Sequence, residues 1–339
     1  MKKILIFCFV SVLFIGCAAD TENGGEIIVE PVFTVQTRSV ASIGHESANV
    51  FGVISPSFVA GTTAYGICYG LTPNPTIDGT FTAGANIDPA TGGFSCIITS
   101  LWHNTTYYVR AYGTTAEGTF YGEPLSFSTL NQLYTISGPV VDADGNTYPS
   151  VIINAKRWMQ GNLNVSKYRN GDAIPEVTDM TEWDALTTGA WCYFENNTEN
   201  GIVYGKIYNW YAINDPRGLA PTGWHIPTDT EWTALTTFLG GTNAAGIKMR
   251  DLGDLWSASA VLATNQAGFS AIPGGYGYLT YTYTPADQPF NSIGDVAFWW
   301  SATAANTNAA YSLNVNLNNS VTRGSVLKKT ALSVRCVKN

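Results

Sequence analysis

From about residue 33 to residue 130, apolar and polar positions alternate in short runs: VFTVQT, ANVFGVIS, TAYGICYG, FSCIITSL, TYYVRAYGT and LSFST. In an extended chain successive side chains point to opposite faces, so each run predicts a strand with one buried row. No helical period interrupts them, and turn-forming residues separate them. Strands at this spacing predict an all-β sandwich over residues 33–130.

Beyond residue 131 the pattern changes. TEWDALTT (181–188) and TEWTALTT (230–237) each follow a capping pair, Asp179 with Glu182 and Thr228 with Glu231, which predicts two helix starts. The second helix places Trp232, Leu235 and Leu239 on one face and ends at Gly240-Gly241. YGKIYNWYAI puts Tyr204, Ile207, Tyr208 and Tyr211 on one further helical stripe. VVDADGNTYPSVII (140–153) sets Asp-Gly between two apolar runs, the pattern of a hairpin turn. Its D-x-D-G-N start also matches a calcium loop. The bidentate Glu such a loop needs at its twelfth position is Ile153, so the turn is the expectation. The region is expected to be α+β, with helices beside strands.

The most informative surface pattern is YSLNVNLNNSVTRG (311–324). Tyr311, Leu313, Val315 and Leu317 form one row and Ser312, Asn314, Asn316 and Asn318 the other, predicting a strand that displays an asparagine ladder. Asparagine offers donors and an acceptor without charge, which suits sugar hydroxyls. Trp299 and Trp300 are adjacent and face opposite sides of an extended segment, so one is a candidate stacking platform. Arg323, at the end of the same stretch, completes the candidate ligand-binding set. A solvated strand face in an Asn-rich chain is the simpler alternative. His225, in PTGWHIPTDTEW, alternates with Trp224 and Ile226, so it points away from the core if they are buried. The neighbouring acids are expected to serve the helix start, and with His45 and His103 elsewhere no metal site is expected. No catalytic residue is assigned.

The first sixteen residues add a targeting signal. Lys2 and Lys3 precede thirteen uncharged residues, Ile4 to Gly16, a run short of the about 20 apolar residues that span a bilayer. It reads as a secretory leader over 1–16. Residues 17–32 are polar, acidic and Gly-containing at first, as suits a flexible tether. Removing the two lysines takes the formal charge from −8 to −10, and charged residues make up only 12% of the chain. An acidic, weakly charged chain gains nothing from phosphate attraction, which argues against a nucleic-acid partner. The remaining 339 − 16 = 323 residues exceed what one core usually serves, so two domains, 33–130 and 131–339, are expected. Nine of the ten tryptophans fall in the second. Past Cys8 and Cys17, four thiols allow three pairings. The simplest keeps each pair within its domain, Cys68 with Cys96 and Cys192 with Cys336.

Several stretches resemble known families. LFIGC (13–17) resembles a bacterial lipobox, which implies cleavage after Gly16 and diacylglycerol on Cys17. LWHNTTYYVRAY (101–112) resembles the fibronectin type III stretch with a corner tyrosine. That implies a buried Tyr107 whose hydroxyl bonds backbone, and His103 lies in the turn. WMQGNL (158–163), YGKIYNWYAIN (204–214), APTGWHIPTDTEW (220–232), GFSAIPGGY (268–276), FWWSAT (298–303) and LSVRCVKN (332–339) resemble successive blocks of the Fibrobacter succinogenes major paralogous domain. The resemblance covers nearly all of 139–339. Where that family often has Cys before P-x-G-W this chain has Ala220, which leaves Cys192 as the candidate partner of Cys336. HIPTDTEW and SVRCV are more distantly similar to formylglycine-generating enzymes, whose core is C-type-lectin-like; this implies fold rather than chemistry. ADQPFN (286–291) is only faintly similar to a lectin calcium motif, with Phe290 where a carboxylate belongs.

Together these readings lead to one expectation. The chain is a non-enzymatic lipoprotein, anchored to the outer membrane through Cys17 and exposed at the cell surface, without a cofactor. A fibronectin-like spacer holds a C-type-lectin-like domain that binds an extracellular glycan, or, alternatively, a cell-surface protein as an assembly subunit. An oxidoreductase of the formylglycine-generating type is the rival from another class.

Overall fold

The computed structural model describes residues 32–257, 263–278 and 289–339. The leader, Cys17, the tether up to residue 31 and Ala286–Gln288 of ADQPFN lie outside the described residues. The described chain is mostly β. No helix among these residues is long and apolar enough to cross a membrane.

The N-terminal part is all-β apart from one turn of 3-10 helix at Pro56–Gly61. Its strands are β1 (Val35–Ala41), β2 (Ala48–Ile54), β3 (Ala64–Gly70), β4 (Thr80–Ala83), β5 (Gly93–Ile98), β6 (Thr106–Thr115), β7 (Gly118–Tyr121) and β8 (Leu125–Ser128). One antiparallel sheet runs β1-β2-β5 and the other β4-β3-β6-β7, with β8 also on β6. Between them lie Val35, Val50, Ile54, Phe94 and Ile98 of the first sheet and Ile67, Tyr107, Val109, Ala111 and Phe127 of the second. Alternation placed most of these rows correctly. The first strand is shifted: it starts at Val35 rather than Val32 and continues through polar Thr37-Arg38-Ser39, where the register slips. β4 and β7, short and largely exposed, carried too little pattern to be read. Tyr107 is buried and its hydroxyl accepts from the Trp102 N–H at 2.9 Å, as the corner-tyrosine resemblance implies; His103 is exposed.

In the C-terminal region, β9 (Tyr134–Val141), β10 (Thr147–Ile153) and β11 (Lys156–Met159) join β14 (Trp224–His225) and β20 (Val337–Lys338) in a five-stranded sheet, order β14-β20-β11-β10-β9. Two short pairs, β12 (Trp191–Cys192) with β13 (Ile207–Tyr208) and β15 (Gly274–Gly277) with β16 (Phe290–Ile293), are bridged to Leu332 and Ala331 respectively. β17 (Val296–Ala304), β18 (Ala309–Asn316) and β19 (Val321–Leu327) form a separate meander. Helices α1 (Met180–Asp184), α2 (Thr198–Tyr204), α3 (Trp210–Ile213), α4 (Asp229–Phe238) and α5 (Thr242–Met249) are short. Thr228 and Glu231 form the expected reciprocal box at α4, and Trp232, Leu235 and Leu239 are buried as its period predicts.

One helix reading is corrected. YGKIYNWYAI is not a single stripe: α2 stops at Tyr204, Ile207–Tyr208 is a strand, and α3 begins at Trp210. Gly205 takes φ +77, a conformation that ends a helix and that only glycine adopts freely. A Cβ there would also lie 3.0 Å from the Leu163 carbonyl oxygen. Asn209 then caps α3 by accepting from the Ala212 N–H.

The expected disulfides are corrected too: Cys68, Cys96, Cys192 and Cys336 are all free and buried. Cys96 faces the inter-sheet core with Ile67, and Cys68, next to Ile67 on β3, points the opposite way. Cys192 belongs to a small cluster with Trp183 and Tyr278, whereas Cys336 lies in the main cluster around Tyr208 and Trp300.

Candidate functional site

The strand expected to carry the ligand ladder is β18, and the structure removes most of the proposed set. β18 is the middle strand of its sheet, and it sends buried residues into both core clusters. Trp299 packs with Leu313 and Val315 against the α4 side, and Trp300 with Phe298 and Ala310 against the other cluster. Both indoles are 0% exposed, so neither is a stacking platform. Ser312 is paired with Trp300 across the strands and is buried beside it. A central strand can bury residues on both of its faces, and alternation gives only the direction of a side chain, which is why it misled. Asn316 is spent on the turn: its Oδ1 accepts from the N–H groups of Asn318 and Ser320 and the Ser320 hydroxyl. Arg323 forms a two-pronged pair with Asp229 and lies over the Tyr311 ring. Asn314, half-buried, and Asn318, exposed, are what remains of the ladder.

The blocks that carry the family resemblance meet in the interior. Arg335, fully buried, donates through Nε to Asn162 Oδ1 at 2.9 Å and through Nη1 to the Met159 and Phe269 carbonyls at 3.0 and 2.7 Å. Its Nη2 reaches the Ser270 carbonyl at 2.8 Å. Its guanidinium rests on the rings of Phe269 and Trp299. Trp299 Nε1 shares Asn162 Oδ1 at 2.8 Å, while the Asn162 amide donates to Tyr204 O and Ser333 Oγ. Other indoles do likewise: those of Trp183, Trp191, Trp210, Trp232, Trp256 and Trp300 each donate to a backbone carbonyl. Burial pulls the Arg335 pKa down to about 9. Five donors in a fixed fork, facing carbonyls rather than a carboxylate, make it a brace between loops. In the sequence, an arginine within the otherwise apolar SVRCV was the available signal.

The other polar motifs are also occupied. Asp142 accepts from the Asp144 and Asn146 N–H groups, the Asn146 amide and the Tyr148 hydroxyl, which fixes the turn. Asp144 accepts from the N–H and hydroxyl of Ser166 and pairs with Lys167. His225 is half-exposed between buried Trp224 and Ile226, as expected, but it is not separate from the acids. Its Nε2 lies 2.9 Å from Glu231 Oε2, which also takes the Thr228 N–H and hydroxyl, and its Nδ1 faces Asn339 Oδ1. Burial of Glu231 opposes ionisation, but the Thr228 and His225 bonds outweigh it and hold the carboxyl below its ordinary value. His45 is buried where the two parts meet, 3.3 Å from the Thr264 carbonyl oxygen and edge-on to Tyr134. Among the described residues no three His, Cys, Asp or Glu side chains gather as metal ligands do.

At that junction the chain is held closely. The Leu130 N–H bonds Gly44 O, and the Leu133 N–H bonds Gln266 O. Beside it opens a cleft of about 530 Å³ lined by Asn49 and Ile97 of the sandwich and Arg250, Asp251, Asp254 and Trp256 of the C-terminal region. Asn49 and Ile97 are cross-strand neighbours on β2 and β5. Arg250 follows α5, which approaches the turn after β18 so closely that a Cβ on Gly246 would lie 2.0 Å from Asn319 O. Arg250 Nη1 therefore reaches Leu317 O at 3.1 Å and Asn319 Oδ1 at 2.7 Å, and its guanidinium lies 4.1 Å above the Trp256 ring. Arg250 is only 1% exposed, yet among the described residues its Nε is buried without a partner, and so is Asn49 Oδ1. A buried polar atom left unpaired costs about 1–3 kcal/mol.

The C-terminal region is thus a β-rich domain whose signature residues brace its own interior. Residues 151–338, more than half of the chain, match the family described as Fibrobacter succinogenes major domain, and the chain belongs to that family. No curated protein matches the chain. Among solved structures it is similar to the fibronectin type III domain of the human KIAA0970 protein, at 14% identity and TM-score 0.21, over 28% of this chain and 72% of that one. It is also similar to the sensor domain of the anti-sigma factor RsgI4 of Pseudobacteroides cellulosolvens, at 21% identity and TM-score 0.23, over 30% of this chain and 97% of that one.

Proposed function

We propose that the chain is an exported, lipid-anchored recognition protein: a fibronectin type III-like sandwich holds a C-type-lectin-like domain at the cell surface, and the protein binds an extracellular glycan without covalent chemistry. The observation that carries the reading is where the polar groups of the family domain go. Arg335, Asn162 and the indole N–H groups are consumed in fixing loops to one another, which builds a rigid scaffold. Rigid scaffolds with committed interiors act through their surfaces. The thiols fit the same reading, since burial pushes Cys192 and Cys336 well above the ordinary thiol range and separates them into different clusters. A thiolate nucleophile wants the opposite environment.

The test is a glycan array probed with the mature chain in detergent, with and without calcium. Retention of a glycan family is the expected outcome, and attachment of diacylglycerol to Cys17 is expected by mass spectrometry of the membrane fraction. Copper uptake with thiol-dependent oxidase activity overturns the reading in favour of an enzyme. Stoichiometric co-purification of one protein with no glycan retained overturns it in favour of an assembly subunit.

A further inference from the structure

The cleft between the sandwich and the C-terminal region is lined by two residues with a buried polar atom that bonds nothing among the described residues: the Arg250 Nε–H, a donor, and Asn49 Oδ1, an acceptor. They come from opposite walls. The other buried arginine, Arg335, by contrast bonds Asn162 and three backbone carbonyls. We propose that this cleft is the ligand site and that it takes a neutral, hydroxyl-rich saccharide segment, with Arg250 Nε donating to its hydroxyls and Asn49 Oδ1 accepting from them. This deepens the recognition reading above and rests on it.

Charge and shape select the ligand class. A hydroxyl both donates and accepts, so one or two hydroxyls satisfy a donor and an acceptor carried by residues that line one cleft. Arg250 keeps its charge, because arginine starts far above neutral pH. A cationic ligand meets that charge at close range. An anionic ligand meets Asp251 and Asp254 on the same wall. A neutral polyol meets neither penalty, and carboxylates accept well from hydroxyls. Asp254 is exposed and bonds no other described residue, so it is available; Asp251 Oδ1 already takes the Gly253 N–H. Ile97 and Leu252, 65% and 53% exposed, border the cleft and offer apolar surface to the C–H face of a sugar ring. The sandwich then supplies half of the site rather than acting as a spacer.

The test titrates the mature chain in detergent with neutral maltohexaose, cellohexaose and xylohexaose, anionic hexagalacturonate and a cationic chitosan hexamer. Binding of a neutral hexasaccharide and of neither charged probe is expected. Asn49→Ala and Asp254→Asn should each weaken that binding roughly tenfold. Asn49→Ala should meanwhile melt at or above the wild-type temperature, because the lost acceptor had no partner in the fold. That combination of weaker binding with undiminished stability separates a ligand contact from a structural one. Arg250→Lys, which keeps the charge and loses Nε, should weaken binding further. Neutral-glycan binding unchanged in the Asn49 and Asp254 variants, or preference for a charged probe, overturns the site while the recognition reading stands. No binding of any probe by the wild type overturns both.

Discussion

The two parts of the molecule are held together by different means. The sandwich core is a double row of apolar side chains, Val50, Ile54, Ile67, Val109 and their neighbours, and polar side chains such as Tyr107, Thr129 and Thr37 bond its backbone without a fully buried charge. The family domain encloses two buried arginines and a set of indoles whose N–H groups reach backbone carbonyls far away in sequence. Asn162 and Arg335, 173 positions apart, meet at 2.9 Å. Sheets whose strands each carry their own apolar row assemble by burial. A region of short elements and long loops needs specific bonds to say which loop lies on which, because its hydrophobic pattern is too fragmentary to do so.

The largest effect is therefore expected from Arg335→Met. It leaves the Met159, Phe269 and Ser270 carbonyls and Asn162 Oδ1 short of a donor in the interior, a loss on the order of 5 kcal/mol. Urea unfolding followed by tryptophan fluorescence reports this region, which holds nine of the ten tryptophans. A loss below about 1 kcal/mol would show that the guanidinium is replaceable by volume and that the contrast is false.

Ile67→Ala tests the other side. Emptying a fully buried position between the two sheets should cost the sandwich about 3 kcal/mol. The indole fluorescence transition of the family domain should not move. If it moves in step, the contacts of His45 with Thr264 and Tyr134 across the junction couple the two parts into one cooperative unit.

The same contrast explains what the sequence revealed. Period-two alternation is a property of each strand alone, so β2, β3, β5, β6 and β8 were legible almost to their ends. The α4 start was legible because its capping residues are three positions apart. The ladder on β18 was misread because alternation gives the direction of a side chain and not what covers it. Asn314 and Ser312 point the same way, yet only the latter lies against Trp300. The cleft was not legible at all: Asn49 and Arg250 are 201 positions apart, since 250 − 49 = 201, and nothing around either marks it. Gly246 was the nearest hint, and its meaning depends on Asn319 lying against it.

A smaller effect is expected where local and long-range bonding meet. Glu231 caps α4 and holds His225 and Lys156, so Glu231→Gln should cost about 1 kcal/mol at pH 7. Its folded-state carboxyl lies below the ordinary value. The stabilisation is present above the unfolded value near 4.3 and is lost as pH falls through the folded one. The gap between wild type and variant in urea midpoint should be full at pH 7 and close in acid below about pH 4. A gap that persists in acid would make the loss one of shape rather than charge.

The smallest expected effect is none, and it separates the two regions most cleanly. Burial pushes the Cys96 thiol up to about 11 and the Cys68 thiol up to about 12, with Cys192 and Cys336 also raised. Alkylation needs the thiolate and access to it, so iodoacetamide at pH 8 should leave these four thiols of the native chain unmodified, and a reductant should not shift its melting temperature. Denaturation should then expose all four thiols to the reagent without prior reduction. At intermediate urea the order of labelling reports which part opens first, with Cys68 and Cys96 reading the sandwich and Cys192 and Cys336 the family domain. Two or none of these four labelled in the unreduced, denatured chain would restore one or both disulfides. A covalent tie would then stand beside the Arg335 brace as a second means of fixing loops, and the contrast between the regions would be one of cross-linking as well as polarity.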